Sequence, residues 1–371
     1  MKKICLISDR NIYMKRICNF LAENEYEVHL ICRHKGGLSK TEFHPTVRIY
    51  QLSSNAIVTK FREIRNLLNQ IQPHIVHLHY LTRDSFIPAI KCKRKYQFYI
   101  TIWGSDLNIY AKNYINRFFQ NLGLILCDKI HLLSPYFERQ IQKTFFAVHG
   151  DKITIYSWGI DVASFQQFSP QKIVELKQEL GIGNNDPVIL SYRNHKPLYN
   201  HHLVIRAMPE ILKKYPQAKF IFTRSNSWDE NYIQSNRKLA VELNAEDNFI
   251  FIERWLNDEE LKALVNMADI TLNIPLHDGL PATLLEIMAT KSIPIVSDLT
   301  NYHPFFTDQK NGLYLKKDFT ERQLSDLIIS ALNNKKYLAE KFYKNNIDYI
   351  RRYQDWNKMK DKLLLFYEQE N

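Results

Sequence analysis

Two β-rich apolar runs, Ala268-Asp269-Ile270-Thr271-Leu272-Asn273-Ile274-Pro275 and Ser292-Ile293-Pro294-Ile295-Val296-Ser297, stand either side of a stretch with helical character. Strand, helix, strand at this spacing is a βαβ unit, which commits the strands to a parallel sheet. The joining stretch is Asp278-Gly279-Leu280-Pro281-Ala282-Thr283-Leu284-Leu285-Glu286-Ile287-Met288-Ala289. Pro281 suits the first helical position, where its ring presets φ and its missing N–H costs nothing. Leu280 has no side-chain oxygen to cap the next amides. Unless Asp278 folds back over them, the N–H groups of Ala282 and Thr283 face open space with the positive end of the helix dipole behind them, which favours an anion. Asp278, in the loop, and Glu286, on the second turn, then flank a phosphate-sized gap. Carboxylates repel phosphate, so these two suit hydroxyl groups. A sugar nucleotide offers both.

The same alternation runs along the whole chain. Strand signals fall at Ile4–Ser8, Tyr26–Ile31, Val47–Leu52, His74–His79, Phe98–Thr101, Lys129–Ser134 and Ile153–Tyr156, with helical periodicity at Met14–Asn24 and around 58–70. In the second half strands are expected near 187–192, 218–223, 249–252, 269–274 and 293–297, and Lys358–Tyr367 reads as a final helix. At 371 residues the chain is too long for one compact core and suggests two domains. Hydrophobic residues at 45% with both charge signs exclude disorder. No apolar run approaches the length of a membrane span, and Asp9 and Arg10 interrupt the short apolar start that follows Met1-Lys2-Lys3. The five cysteines, an odd number, have neither metal-ligand nor disulfide spacing, and a cytoplasmic location is expected. On a strand His77 and His79 share one face and His74 takes the other, so these histidines do not make a metal site.

Charge divides the chain. Residues 1–170 hold 23 Lys+Arg against 12 Asp+Glu, a net +11, whereas residues 171–371 hold 27 against 27. Lys91-Cys92-Lys93-Arg94-Lys95 is the densest point, with Lys60, Arg62, Arg65, Lys112 and Arg117 on other expected helices. Ala111–Phe119 mixes basic residues with aromatics. Such a surface suits an anionic membrane, and a generic solvated basic face would look the same. Nucleic acid is not expected, because no zinc-finger, RNP-like or helix-turn-helix signal accompanies the charge.

Two acidic residues eight apart around Gly-Leu-Pro-x-x-Leu-Leu-Glu-x-Met-Ala resemble the E-x7-E motif of retaining GT-B glycosyltransferases of the GT4 type, with Asp278 where Glu is usual. Ser157-Trp158-Gly159-Ile160-Asp161-Val162-Ala163-Ser164-Phe165 resembles the segment leading into that family's interdomain linker, and His74–His79 a structural strand of its N-domain. The resemblance covers most of the chain and is strongest from 187 to 315. It implies a GT-B fold: two Rossmann-like, doubly wound parallel-sheet domains facing across a cleft. The N-domain (1–165) would bind acceptor, the C-domain (166–345) a nucleotide sugar, and a terminal helix (346–371) would return to the N-domain.

The resemblance also implies residue roles. In Leu190-Ser191-Tyr192-Arg193-Asn194-His195-Lys196-Pro197 the Arg at a strand end clamps the donor diphosphate, work that suits a planar, always-protonated fork. The family's Lys five residues later is absent, since Leu198 stands there; Lys196 is the candidate substitute, with Asn194 beside it. Glu286 would hold ribose hydroxyls, Asp278 with Gly279, Leu280 and Pro281 the donor sugar, and the amides of Ala282 and Thr283 phosphate. Trp103-Gly104-Ser105-Asp106 resembles a His-Gly-Ser-Asp loop with Trp for His. Gly104 and Ser105 would then lie on the acceptor side. Asp106 either orients an acceptor hydroxyl catalytically or caps a helix. Base recognition is expected from the loops at Arg224-Ser225-Asn226 and Arg254-Trp255-Leu256. The family's Gly-Gly loop after the first strand is replaced by Asp9-Arg10-Asn11.

No Asp-x-Asp occurs, so neither a metal nor another cofactor is expected. The partners implied are a nucleotide-sugar donor, most simply UDP-linked, and a glycan or lipid-linked acceptor in cell-surface polysaccharide biosynthesis. Two rivals fit parts of the sequence: a GT-B nucleotide-sugar epimerase, and a non-catalytic basic protein that binds membrane or nucleic acid.

Overall fold

The computed structural model describes residues 1–89, 96–108, 110–146, 148, 150–166, 169–224, 229–279 and 282–368. The chain divides into two compact units, Met1–Trp158 with Lys358–Asn371, and Gly159–Asn357. The division thus falls before the expected 165, because Ile160, Val162 and Phe165 are buried in the second unit among Leu284, Leu285 and Met288. It also falls after the expected 345, since Ile347 and Ile350 belong to the same cluster.

The first unit is a parallel sheet of β1 (Lys3–Ser8), β2 (Glu27–Cys32), β3 (Arg48–Gln51), β4 (Ile75–His79), β5 (Gln97–Ile102), β6 (Lys129–Leu132) and β7 (Ile153–Ile155), in the order β3-β2-β1-β4-β5-β6-β7. Its helices are α1 (Ile12–Glu23), α2 (Ile57–Ile71), α3 (Ser105–Asn108), α4 (Tyr114–Leu126) and α5 (Pro135–Thr144). Strands covered on both faces read as near-continuous apolar runs, and β1, with Ile4, Cys5, Leu6 and Ile7 wholly buried, is one. Where a glycine pair was missing after β1, Asn11 caps α1 by accepting the N–H groups of Tyr13 and Met14 at 3.0 Å each. The glycines come later. Gly37, at φ 87°, lies where a Cβ would meet the Arg10 carbonyl oxygen at 2.2 Å, so the chain after β2 closes over the β1 loop only with glycine there.

The second unit holds β8 (Val188–Ser191), β9 (Lys219–Thr223), β10 (Phe249–Ile252), β11 (Ile270–Asn273), β12 (Ile293–Ser297) and β13 (Leu313–Leu315), all parallel in the order β10-β9-β8-β11-β12-β13. Helices α6 (Val162–Gln166), α7 (Pro170–Glu179), α8 (His201–Lys214), α9 (Glu230–Glu242), α10 (Asp258–Met267), α11 (Ala282–Met288), α12 (Glu321–Asn333) and α13 (Lys335–Tyr353) lie in the same unit. The edge strand β13 was not expected from sequence. Gly312 makes the pairing possible by letting the backbone approach Pro294 of β12, a tertiary contact with no local signal. In both units the order reverses beside the first strand, next to β4 in one and β11 in the other. Open α/β sheets bind ligands outside the strand C-termini at such points.

The last helix, α14 (Trp356–Glu368), delivers its C-terminal part to the first unit. Tyr367 is fully buried, with its hydroxyl 2.5 Å from His77 Nδ1, and its carbonyl accepts Lys2 Nζ at 2.8 Å. His77 and His79 share a face, their rings 4.3 Å apart, while His74 takes the Lys3 amide on Nδ1.

Burial holds His77, His79 and His201 well below the ordinary imidazole range, His131 at about 3 and His195 at about 4. The unfolded chain would protonate these rings as pH falls through about 6.5, and the folded chain would not. Stability is therefore complete above that pH and lost progressively below it. The thermal unfolding midpoint should be flat from about pH 8 to 7 and several degrees lower by about pH 5.5. A midpoint unchanged over that range would mean that these rings are not buried as described.

Candidate active site

The second unit gathers its polar side chains where β8 and β11 end. Arg193 follows β8, Asn273 ends β11, and Asp278 lies in the loop between β11 and α11. Arg193 Nη1 donates to Asn273 Oδ1 at 2.8 Å and pairs with Asp278 Oδ2 at 2.8 Å. Its Nη2 donates to the Tyr199 hydroxyl at 3.1 Å, and the guanidinium lies 4.5 Å from the Tyr199 ring centroid. The side chains of Arg193 and Asp278 are 10% and 14% exposed, so the pair is largely desolvated. Burial works against the Arg193 charge, but Asp278, Tyr199 and Tyr302 outweigh it and hold the guanidinium above its ordinary range. A guanidinium has five N–H donors. Among the described residues, the hydrogen bonds of Arg193 to Asn273 and Tyr199 and its ion pair with Asp278 engage Nη1 and one N–H of Nη2, leaving Nε–H and the other Nη2 N–H as donors for an anionic oxygen.

Asp278 is held from the other side as well. Tyr302 donates its hydroxyl to Asp278 Oδ2 at 2.9 Å and receives Asn273 Nδ2 at 3.0 Å, while Gly279 N–H reaches Asp278 Oδ1 at 2.8 Å. Asn301 Nδ2 pins the loop through the carbonyls of Asp278 and Gly279 at 3.2 and 2.6 Å. Burial and the Asp278 carboxylate push the Tyr302 phenol well up, so it remains a donor.

Glu286 projects from α11 because its neighbours Leu284, Leu285, Ile287 and Met288 are buried. Leu284, Leu285 and Met288 enter one core cluster and Ile287 another, leaving Ala282, Thr283 and Glu286 half-buried. The Tyr192 hydroxyl lies 2.9 Å from Glu286 Oε2 and 3.2 Å from the Thr283 carbonyl oxygen, and so sets the carboxylate's position. Arg193, Asp278 and Glu286 are thus brought to one sheet end. Ala282 and Thr283 open α11, a helix of seven residues. Leu280 and Pro281 lie outside the described residues.

Other expected residues go elsewhere. Lys196 is half-buried at the start of a single 3-10 turn, its amide donating to the Asn194 carbonyl at 2.8 Å. That carbonyl also lies 3.1 Å from His201 Nε2, so Asn194 serves the loop through its backbone. Arg254 is held by Glu179 at 2.8–2.9 Å and by Glu260 at 3.0 Å, with Trp255 beside it 56% exposed. A base-reading role for Arg254 would have to compete with two carboxylates. Ser225 and Asn226 lie outside the described residues.

In the first unit Asp106 is fully buried, and its carboxylate accepts the N–H groups of Trp103 at 3.0–3.1 Å, Gly104 at 2.5 Å and Leu81 at 3.1 Å. Burial pushes its pKa up while those bonds pull it down. Neither expected role is what the structure shows: Asp106 lies within α3, and its carboxylate caps no helix but binds the loops after β4 and β5 together, fully buried. Gly104 takes φ 112°, and Ser105 begins α3.

Sequence reasoning did not find Tyr192, Tyr199, Asn273, Asn301 or Tyr302. Tyr192 and Asn273 carried a signal, since both sit at the C-terminal end of a strand. Tyr302 and Asn301 had none, because their contacts span more than twenty residues.

Two family models match, glycosyl transferases group 1 over residues 172–349 and glycosyl transferase 4-like over residues 3–134. The spore coat protein SA of Bacillus subtilis is 22% identical over 266 residues, 68% of this chain and 69% of that protein. The alpha-monoglucosyldiacylglycerol synthase of Acholeplasma laidlawii is 22% identical over 224 residues, 57% of this chain and 55% of its own length. Among solved structures, Anabaena HepE in complex with UDP-glucose superposes with a TM-score of 0.82 at 13% identity, covering 99% of each chain. The two parallel-sheet units are those of the GT-B fold. The chain belongs to the group 1 glycosyltransferases.

Removing one member of a buried ion pair strands the other. Asp278→Asn should therefore destabilise the second unit by about 3 kcal/mol in urea unfolding. Combining it with Arg193→Met should cost less than the two single changes together, with a coupling of up to about 3 kcal/mol. Strict additivity would show that the pair does not form.

Proposed function

We propose that this protein is a retaining, GT4-like glycosyltransferase that moves a sugar from a UDP-linked donor to a glycan or lipid-linked acceptor, in cell-surface polysaccharide biosynthesis. The observation that carries this reading is the fixed Arg193 fork at the switch point of a doubly wound sheet, with Glu286 on the helix that follows. Negative charge gathers on the diphosphate as the anomeric C–O bond breaks. A positioned cation that need not reorganise stabilises it there. Arg193 fills that role with its two remaining N–H groups, and Lys196 is the candidate for additional charge.

Glu286, oriented by Tyr192, accepts from the ribose hydroxyls, and Asp278 with Gly279 faces the transferred sugar. The UDP-glucose in the Anabaena structure supports a UDP-linked donor, and the named activity of the Acholeplasma relative supports a lipid-bearing acceptor. In this reading the reaction needs no divalent cation, since Arg193 supplies the charge, and activity should survive chelation. The enzyme works in the cytoplasm, peripherally on the inner face of the membrane, with its basic half toward anionic lipid.

A screen of nucleotide sugars for slow hydrolysis, read as UDP or GDP release, tests the reading and names the donor. Release accelerated by acceptor supports transfer. Interconversion of sugars without any nucleotide release would make the protein an epimerase instead.

The two carboxylates should separate in calorimetry. Glu286→Gln should weaken binding of both UDP and the intact donor by roughly ten- to a hundredfold, the worth of a hydrogen bond to a charged group. Asp278→Asn should not weaken UDP, because Arg193 no longer shares its charge, yet turnover should fall. Equal losses of UDP affinity in the two variants would refute the assignment.

A further inference from the structure

Helix α4 is built with its polarity reversed. A helix on a globular core ordinarily turns its apolar stripe inward. The inward positions of α4 are instead Gln120, Asn121, Gly123 and Leu124. Gln120 Nε2 donates to the carbonyls of Leu81 and Asp106 at 2.6 and 3.2 Å, and Gly123 lies where a Cβ would stand 3.3 Å from Ser85. The outward positions are apolar: Tyr114, Ile115, Phe118 and Ile125 are 78%, 59%, 66% and 45% exposed. At 3.6 residues per turn these four, with half-buried Leu122, fill one stripe roughly 100° wide. Asn113 fixes where the stripe begins, its side chain accepting the N–H groups of Ile115 and Asn116 at 3.0 and 3.1 Å.

Positive charge borders this stripe. Lys112 is exposed immediately before the helix, and Arg117 lies 4.8 Å above the Tyr114 ring. Exposed Arg83 lies 5.7 Å from the ring of Phe119. The helix contains no Asp or Glu. By contrast Lys60, which the sequence suggested for the same basic face, is buried and paired with Asp84 at 3.0 Å. Lys91–Lys95 lie outside the described residues.

We propose that this face of α4 seats the first unit in the interfacial layer of an anionic membrane, with Tyr114, Ile115 and Phe118 entering among the lipids and Lys112 and Arg117 meeting their phosphates. The proposal deepens the lipid-linked acceptor reading and rests on it. Charge selects the occupant. A second copy would bring the same face and the same basic excess, 23 Lys+Arg against 12 Asp+Glu in residues 1–170, so like charges would oppose one another. A bilayer of anionic lipid supplies both an apolar layer and the opposite charge. Because an apolar contact is not screened, binding by this mode outlasts the loss of its electrostatic part at high salt.

Flotation with vesicles of phosphatidylcholine, with and without about one third phosphatidylglycerol, tests it. The protein should bind the anionic vesicles, more weakly at high salt but still measurably. Tyr114→Ser/Ile115→Ser/Phe118→Ser should bind at least about tenfold more weakly at every salt concentration, since burial of each such side chain is worth about a decade. Lys112→Gln/Arg117→Gln should lose affinity mainly at low salt. Both variants should keep the UDP affinity of the parent, which shows that they fold. Undiminished vesicle binding by the triple serine variant overturns the proposal. So does a dimer in sedimentation that the triple variant abolishes while the parent ignores vesicles. Vesicle binding that follows this pattern in a protein that releases no UDP from any donor would retire the catalytic reading and leave the membrane face standing.

Discussion

The ion pair between Arg193 and Asp278 is what the second unit's site depends on. Taking two charges out of water costs several kcal/mol per ion before any attraction is counted, so such a pair survives only where its remaining bonds are met. Asn273 and Tyr199 meet them for the arginine, Tyr302 and Gly279 for the aspartate. The consequence is rigidity. Three separate stretches, the end of β8, the end of β11 and the loop before α11, are tied by one guanidinium. In the proposed reaction such a cation would already be in place when the donor binds.

Helix α11 is a second constraint of the same kind. Its apolar positions are divided between two core clusters, so the helix cannot rotate without unpacking both. Glu286 is therefore displayed by the burial of its neighbours, and the Tyr192 hydroxyl fixes its final direction. A site built on packed elements holds its geometry better than one built on loops alone. The first unit uses the equivalent strand ends differently. Asp106 is spent there on backbone amides, and the neutral histidines of β4 and β6 lie buried among aromatic rings. Its outward-facing chemistry lies instead on α4, where apolar and basic side chains stand side by side.

Much of this was legible in the chain. Parallel strands in α/β units are buried on both faces, so their apolar runs announce themselves, and each strand of four or more residues lay near its expected place. Arg193, Asp278 and Glu286 were legible as candidates too, Asp278 and Glu286 from the strand-to-helix pattern and Arg193 from what the family resemblance implies for a strand end. The three-residue strand β13 was not, since its existence rests on Gly312 letting two backbones meet.

Sequence alone thus determined the alternating parallel-sheet architecture and the candidate anchors of the site, through local periodicity, the places where strands end and the family resemblance. Tertiary structure alone decided what those anchors do to one another. It paired Arg193 directly with Asp278 and set Tyr302 against the same carboxylate, turned Arg254 toward Glu179 and Glu260, closed Asp106 over backbone amides, and placed the apolar side of α4 outward. Each of these depends in part on a contact between segments far apart in the chain: Arg193 with Asp278, Arg254 with Glu179, Asp106 with Leu81, Gln120 with Leu81. No local pattern records which distant partner will satisfy a buried charge.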